Sequence, residues 1–336
     1  MTNFGRWLRR KRYATAGHVG MLESRLAAMS DLIESGLRTN ALRTDEALNA
    51  LAQLRQATAE HQSLTDASNE AISVATTTIA ALETKLTGML IELYGGEADD
   101  RRRLASARAE ADYELAYSED RPLVTILIPT YTNWEMLRSR AIPSALAQTH
   151  EEIEVLIVGD KAPDETKEVI EEFADERLRY INLPTRGHYP EDDQSLWLVS
   201  GVAPYNAGLQ AARGRWISPF ADDDALRPDA IESSLTEARR ERLEVCYGLM
   251  DIHRRNGEHE IIGQFPPRLA SVGLQGCVYH AHLRIFEQLL GGPAFGLPND
   301  WLMLRRMLNA GAHVGFLDQV LSDYRPSYRA HPDLDR

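Results

Sequence analysis

The chain has 336 residues, 43% of them hydrophobic, enough for one large core and an accessory region. Its 37 Lys and Arg stand against 50 Asp and Glu, and the net charge of -13 excludes general electrostatic attraction to nucleic acid. Two widely separated cysteines, Cys246 and Cys277, exclude a disulfide scaffold and a close-spaced zinc motif, and read as core thiols of a reducing compartment.

The N-terminal stretch FGRWLRRKRY, residues 4–13, interleaves basic and aromatic residues without the apolar run of a secretion signal. It is a candidate contact for anionic lipid or a partner, or a solvated helix start with packed aromatics. No run reaches the roughly 18 to 20 apolar residues of a membrane span. The expected location is therefore the cytoplasm, with peripheral contact at the inner face of a membrane as an option carried by residues 4–13.

All 15 prolines fall at or after Pro122, so the first part of the chain lacks helix breakers. Leu22, Leu26, Met29 and Ile33 mark one helix; Ile72, Ala75, Ile79, Leu82, Leu86, Met89 and Leu93 form a heptad seam. Thr58, His61, Thr65 and Ser68 interrupt its backward extension through Leu54 and Leu51. The helices fit either a coiled coil that makes a homo-oligomer or an antiparallel hairpin folded back on the rest. Gly95-Gly96 closes the long helix, and the charged segment EADDRRRLASARAEADYE then leads as linker or short helix to Pro122. The expected organisation is a helical or coiled-coil region over 1–100, a charged linker over 101–121, and an α/β domain over 122–336.

From Leu123, short apolar runs alternate with helical stretches. LVTILIPTY, IEVLIVGD and LRYINLP read as strands; NWEMLRSRAIPSALAQ and DETKEVIEEFAD read as helices. This alternation predicts a Rossmann-like, mostly parallel sheet flanked by helices. Ligands of such sheets bind beyond the carboxyl ends of the strands, where Pro129 to Thr132, Gly159 to Lys161 and the triplet Asp222, Asp223 and Asp224 should converge. Carboxylates at a strand end can hold Mg²⁺ or Mn²⁺ against phosphate oxygens, which reconciles an acidic site with an anionic ligand. A solvated acidic loop is the plainer alternative.

The order of these segments resembles glycosyltransferase family 2, whose fold is the GT-A nucleotide-sugar fold. Pro129, Thr130, Tyr131, Ala145, Leu146, Gln148, Thr149 and Asp160 match the family's opening motifs. NAGLQAARGRWISPFADDDALRPD resembles its Asn-x-Gly, Ala-x-Gly and DxD segments, and NDWLMLRRMLNAGAHVGFLDQVLSDYR its closing helix and strand. The resemblance covers roughly 122–325. It implies a metal-dependent, inverting glycosyltransferase that moves a sugar from a nucleotide-diphosphate donor, most commonly UDP-linked, to a hydroxyl of a glycan, lipid or protein. It implies donor contacts at Pro129, Thr130, Tyr131, Asp160, Asn206 and Asp222, and Mn²⁺ or Mg²⁺ held by Asp223 with Asp222, and by His331 of the C-terminal tail. Asp300 would be the catalytic base; the plainer alternative is a helix N-cap, a task that Asn299 could take and so leave Asp300 free. Gly159 and Ala221 depart from the family pattern, each standing where an aspartate is usual.

Between Pro184 and Asn206, Arg186, His188, Tyr189 and Trp197 could form a lid or acceptor wall, or simply pack the loop down. CVYHAHL reads as a strand facing the acceptor region, its histidines unassigned. A nucleotidyltransferase would need a Gly-rich basic phosphate loop that IPTYTNWEM lacks. The remaining alternative is a non-catalytic coiled-coil assembly protein with a degenerate nucleotide-sugar domain.

Overall fold

The computed structural model describes residues 96–254 and 256–325, together with Ala52, Gln53, Gln56, Thr77, Ile79, Ala80 and Ala81, all helical. The chain divides into two units, 1–95 and 96–336. Most of the expected N-terminal heptad seam, and all of residues 4–13, lie outside the described residues.

The second unit is built on a nine-stranded sheet of order β3-β2-β1-β4-β8-β6-β9-β5, with β7 paired to β6. The strands are β1 (Val124–Thr130), β2 (Ile153–Gly159), β3 (Leu178–Asn182), β4 (Trp216–Pro219), β5 (Ala225–Leu226), β6 (Val245–His253), β7 (His259–Ile262), β8 (Val278–His280) and β9 (Val314–Tyr324). β3, β2, β1 and β4 are parallel; β8 joins antiparallel to β4 and β6. β6 and β9 are parallel, and β5 and β7 antiparallel to their neighbours.

β1 and β2 are buried along almost their whole length, because a parallel sheet carries helices on both faces. One face packs Ile126, Ile128, Val155 and Ile157 against the helical segment α3 (Trp134–Met136), a π-helical turn (Leu137–Ala141) and α4 (Ile142–Leu146). α5 (Asp164–Glu172) and α8 (Ala230–Glu241) complete that layer. Between them in the chain come α6 (Asp193–Val199) and α7 (Val202–Ala211), the latter covering the opposite face. There Gly208 approaches β1 so closely that a Cβ would stand 2.2 Å from Leu127 Cδ1. The glycine of the Asn-x-Gly segment thus sets how near α7 lies to the sheet.

In the charged segment before Pro122, expected as linker or short helix, the structure has two helices. α1 (Glu97–Arg108) and α2 (Leu115–Ser118) pack on the domain, burying Leu104, Ala107, Tyr113 and Ala116. Their anchors are polar and distant in sequence. Arg306 forms two bonds of 3.0 Å to the Asp100 carboxylate; Arg108 bonds both oxygens of Glu244 at 2.8 and 2.6 Å. Glu244, 1% exposed, also accepts from Tyr113 Oη at 2.5 Å and His313 N at 2.8 Å, so its charge is fully met. These partners hold its carboxyl below the ordinary glutamate range. Such partners cannot be seen in the local composition, which is why the segment reads as a linker.

Candidate active site

The strand ends are flush: Thr130 pairs with Gly159, and Gly159 with Asn182. Chain order runs outward from β1 to β2 and β3, then returns to β4 on the other side of β1. That reversal opens a crevice at the carboxyl ends of β1 and β4, where open α/β sheets hold their ligands.

On one side of the crevice, Asp160 N donates to Thr130 O at 2.8 Å and Asp160 Oδ1 accepts from Gly187 N at 2.8 Å. Asp160 is buried and hydrogen-bonded to Tyr189, so it draws the segment after Pro184 onto the sheet edge. Burial and the Asp160 partner push the Tyr189 phenol well above its ordinary pKa. The Arg186 guanidinium lies 4.2 Å from the Tyr131 ring centroid and 5.5 Å from that of Tyr189. Tyr131, 40% exposed, presents an aromatic face at the end of β1. Trp197 packs against the small core of Leu198, Val199 and Val202, the plainer of its two expected roles.

Gly159 has a steric reason to be glycine. A Cβ there would stand 2.6 Å from Asn182 Oδ1, 2.8 Å from Tyr180 Oη and 2.9 Å from Ala162 Cβ. Asn182 is locked in that space by bonds of 2.8 Å to both the N–H and the carbonyl of Ala162. The aspartate usual at this motif position has no room here.

On the other side, β4 continues through Phe220, whose N–H donates to Leu127 O at 3.0 Å, into Ala221 and the acidic triplet. Asp222 accepts from Thr130 Oγ1 at 2.6 Å and Asn133 Nδ2 at 2.9 Å. Desolvation, then the Asp223 charge, push its pKa up to about 7 despite these donors. Arg140, from the π-helical turn, donates to Asp223 O at 3.2 Å. Asp224 is fully buried: Oδ1 accepts from Arg325 N at 2.9 Å, while Oδ2 has no hydrogen-bond partner. Burial and the neighbouring Asp223 raise its pKa well above the carboxylate range. Negative charge is thus in excess at this end of the sheet, and a cation would relieve it.

After the short helix α9 (Gly292–Phe295), the start of α10 (Asn299–Ala310) supplies the third wall. Asp300, Asn299 and Gln288 line a cavity of about 130 Å³ together with Pro129, Tyr205 and Ala221. Elements far apart in the chain therefore bring Pro129, Asp300 and the residue preceding the triplet to one space. The N-cap of α10 is Pro298, with no side-chain cap, so Asn299 is the first helical residue rather than the cap that the sequence suggests. Asp300 N donates to Asn299 Oδ1 at 2.8 Å, and Trp301 N donates to Asp300 Oδ1 at 2.7 Å, so Asp300 is not wholly free of the helix start. Desolvation raises the Asp300 pKa. Tyr324, at the end of β9, ties the walls together electrostatically: burial, then the charges of Asp224, Asp223 and Asp300, lift its phenol far above the ordinary value.

Asn206, expected to touch the donor, has its side-chain amide engaged within the protein. Its Nδ2 donates to Gln288 O and its Oδ1 accepts from Gln288 N, both at 2.9 Å. Gln288 Oε1 in turn accepts from Asn299 Nδ2 at 3.0 Å, so Asn206 acts on the cavity through the segment beside Asp300. His331 lies outside the described residues. The strand expected in CVYHAHL ends at His280, which does not face the acceptor side: it stacks on Tyr113 at 4.1 Å and bonds Tyr113 O at 3.0 Å. Burial first, with His282 nearby, depresses its pKa to about 4. Asn133, Arg140 and Tyr324 were not picked out from sequence; only Asn133, three residues past Thr130, carried a local signal.

Residues 125–190 match the family Glycosyl transferase family 2. The succinoglycan biosynthesis protein ExoO of Rhizobium meliloti is 32% identical over 136 residues, 40% of this chain and 35% of its own. The chondroitin synthase of Escherichia coli is 31% identical over 139 residues, 41% of this chain and 18% of its own. Among solved structures, TarS 1-349 of S. aureus with UDP-GlcNAc is similar at 17% identity and TM-score 0.47, covering 62% of this chain and 60% of that one. The chain is thus similar to glycosyltransferase family 2 over the part of its α/β domain that runs from β1 past β3. It spans about a third or less of the length of these two curated relatives.

Proposed function

We propose that the chain is an inverting glycosyltransferase that moves a sugar from a nucleoside-diphosphate donor, UDP-linked by the resemblance, to a hydroxyl of a glycan, lipid or protein. The observation that carries this reading is the cavity shared by Asp300, Pro129 and Ala221, with the acidic triplet beginning at its edge. Tyr131 and Arg186 offer a stacking surface for the base, and Asp160 lies at the adjoining strand end for the base or ribose.

Asp223 and Asp222 would hold Mn²⁺ or Mg²⁺, and two carboxylates suffice when phosphate oxygens and water complete the shell. Raised carboxyl pKa values at Asp222 and Asp224, and the orphaned Asp224 Oδ2, mark uncompensated acidity that fits a divalent cation. When bound, such an ion neutralises charge on the departing diphosphate. Thr130 and Asn133 aim Asp222, and Arg140 holds the turn at the Asp223 carbonyl. Asp300, made more basic by desolvation, takes the proton of the acceptor hydroxyl as that oxygen attacks the anomeric carbon opposite the diphosphate.

A panel of nucleotide sugars, scored for hydrolysis and transfer with Mn²⁺, tests the proposal. Asp300→Asn is expected to lower turnover by about 10³-fold while donor affinity stays within about threefold. Equal loss of binding and turnover would assign Asp300 to the fold instead.

A further inference from the structure

We propose that Asp251, His253 and His259 form a second metal site, selective for a Zn²⁺-class ion, on the β6–β7 hairpin beside Asp323 and separate from the acidic triplet. Asp251 and His253 are two residues apart on β6 and so share a face of the sheet. His259 on β7 pairs with His253, and Asp323 on β9 pairs with Asp251, which brings all four onto neighbouring rungs.

The ligand atoms of Asp251, His253 and His259 converge within 4.8 Å of one another. His259 Nδ1 is 3.3 Å from Asp251 Oδ1, and His253 Nε2 is 3.6 Å from Asp251 Oδ2 and 3.2 Å from Asp323 Oδ1. Nitrogen and oxygen ligands at about 2.0–2.2 Å around tetrahedral zinc stand about 3.3–3.6 Å apart, and the separations of each imidazole from Asp251, 3.3 and 3.6 Å, fall in that range, leaving a fourth position for water. Asp251 Oδ1 is buried and has no hydrogen-bond partner, and the two imidazole rings are pressed to 4.0 Å between centroids.

The plainer account is an ion-pair network, because Arg227 Nη2 lies 2.6 Å from Asp323 Oδ1 and 3.3 Å from Asp251 Oδ2. Arg227 bonds Asp251 through Oδ2, which leaves Oδ1 without a hydrogen-bond partner, and its side chain is 40% exposed. Two imidazoles favour zinc over the hard, oxygen-seeking ions suited to the triplet. The ion would pin β7 to β6, beside β9, which leads to the Arg325 N–H that holds Asp224.

The test uses the full chain, stripped with chelator and titrated with Zn²⁺ against a chromophoric competitor, with Co²⁺ absorption reporting the ligand geometry. One tight equivalent is expected. His253→Ala and the more exposed His259→Ala should each weaken it by at least about tenfold. Arg227→Ala should tighten it, while Asp223→Asn and His282→Ala should leave it unchanged. His282→Ala controls for the other His-carboxylate cluster, Glu110, Asp112 and His282. Absence of tight binding, binding indifferent to both hairpin histidines, or loss that follows Asp223→Asn or His282→Ala overturns the proposal.

Discussion

At the scale of single residues, two positions carry most of the reasoning. Gly159 stands where the family pattern has an acid, a departure for which the local sequence supplies no cause. The structure gives a packing cause instead, since Asn182, Tyr180 and Ala162 fill the space. Gly159→Asp is expected to cost about 1–3 kcal/mol in urea unfolding rather than to sharpen donor choice. Asp222 makes a prediction in pH. Its pKa is raised from 3.8 to about 7, so the folded protein binds the proton more tightly than the unfolded chain does. The stability this group contributes is full below the unfolded value and is lost as pH rises through about 7. In chelator, the stability of the native protein relative to Asp222→Asn should therefore fall between about pH 4 and 7 and level off above that. His280 acts oppositely over the same range: with its pKa lowered from 6.5 to about 4, it costs stability as pH falls, so the difference between native and Asp222→Asn, in which His280 cancels, is the readout. A slope unchanged in Asp222→Asn would mean that the carboxylate is already ionised and compensated.

At the scale of elements, the helices before β1 make the sharpest departure from a sequence-based division of the chain. α2 closes over Trp216, whose indole N–H donates to Ala116 O at 3.0 Å, while Arg108 and Tyr113 satisfy the buried Glu244. A chain beginning at Gly96 should fold cooperatively, whereas one beginning at Pro122 should unfold at lower denaturant, with Glu244 stripped of two partners. Equal midpoints would show that the helices are ornamental. The strands β1 to β4 and the main crossover helices were legible because apolar runs, turn residues and spacing act locally. α1 and α2 were not, because Asp100–Arg306 and Glu244–Arg108 join residues distant in the chain. The role of Asn206 was hidden for the same reason: its asparagine chemistry suits a ligand, but both ends meet the Gln288 backbone. Asp300 and the triplet were legible as places in the chain, while their shared cavity emerged only once α10 and β4 were folded together.

At the scale of the whole molecule, a protein with net charge -13 places its most concentrated acidity at the mouth of the crevice proposed to take a diphosphate. Only a cation makes that arrangement attractive to such a ligand, since bare carboxylates at close range would repel it. No helix among the described residues is long and apolar enough to cross a membrane. Oligomerisation through residues 1–95 and contact at residues 4–13 remain proposals of the sequence. The central claim is that the Asp222–Asp223 carboxylates grip a nucleotide's phosphates through a divalent ion. Calorimetry of UDP binding, with Mn²⁺ and then with chelator, on the native chain and on Asp223→Asn, tests it most directly. The account predicts binding to the native chain with Mn²⁺ alone, lost in chelator and in the variant; UDP binding of equal strength with and without metal, or untouched by Asp223→Asn, would contradict it.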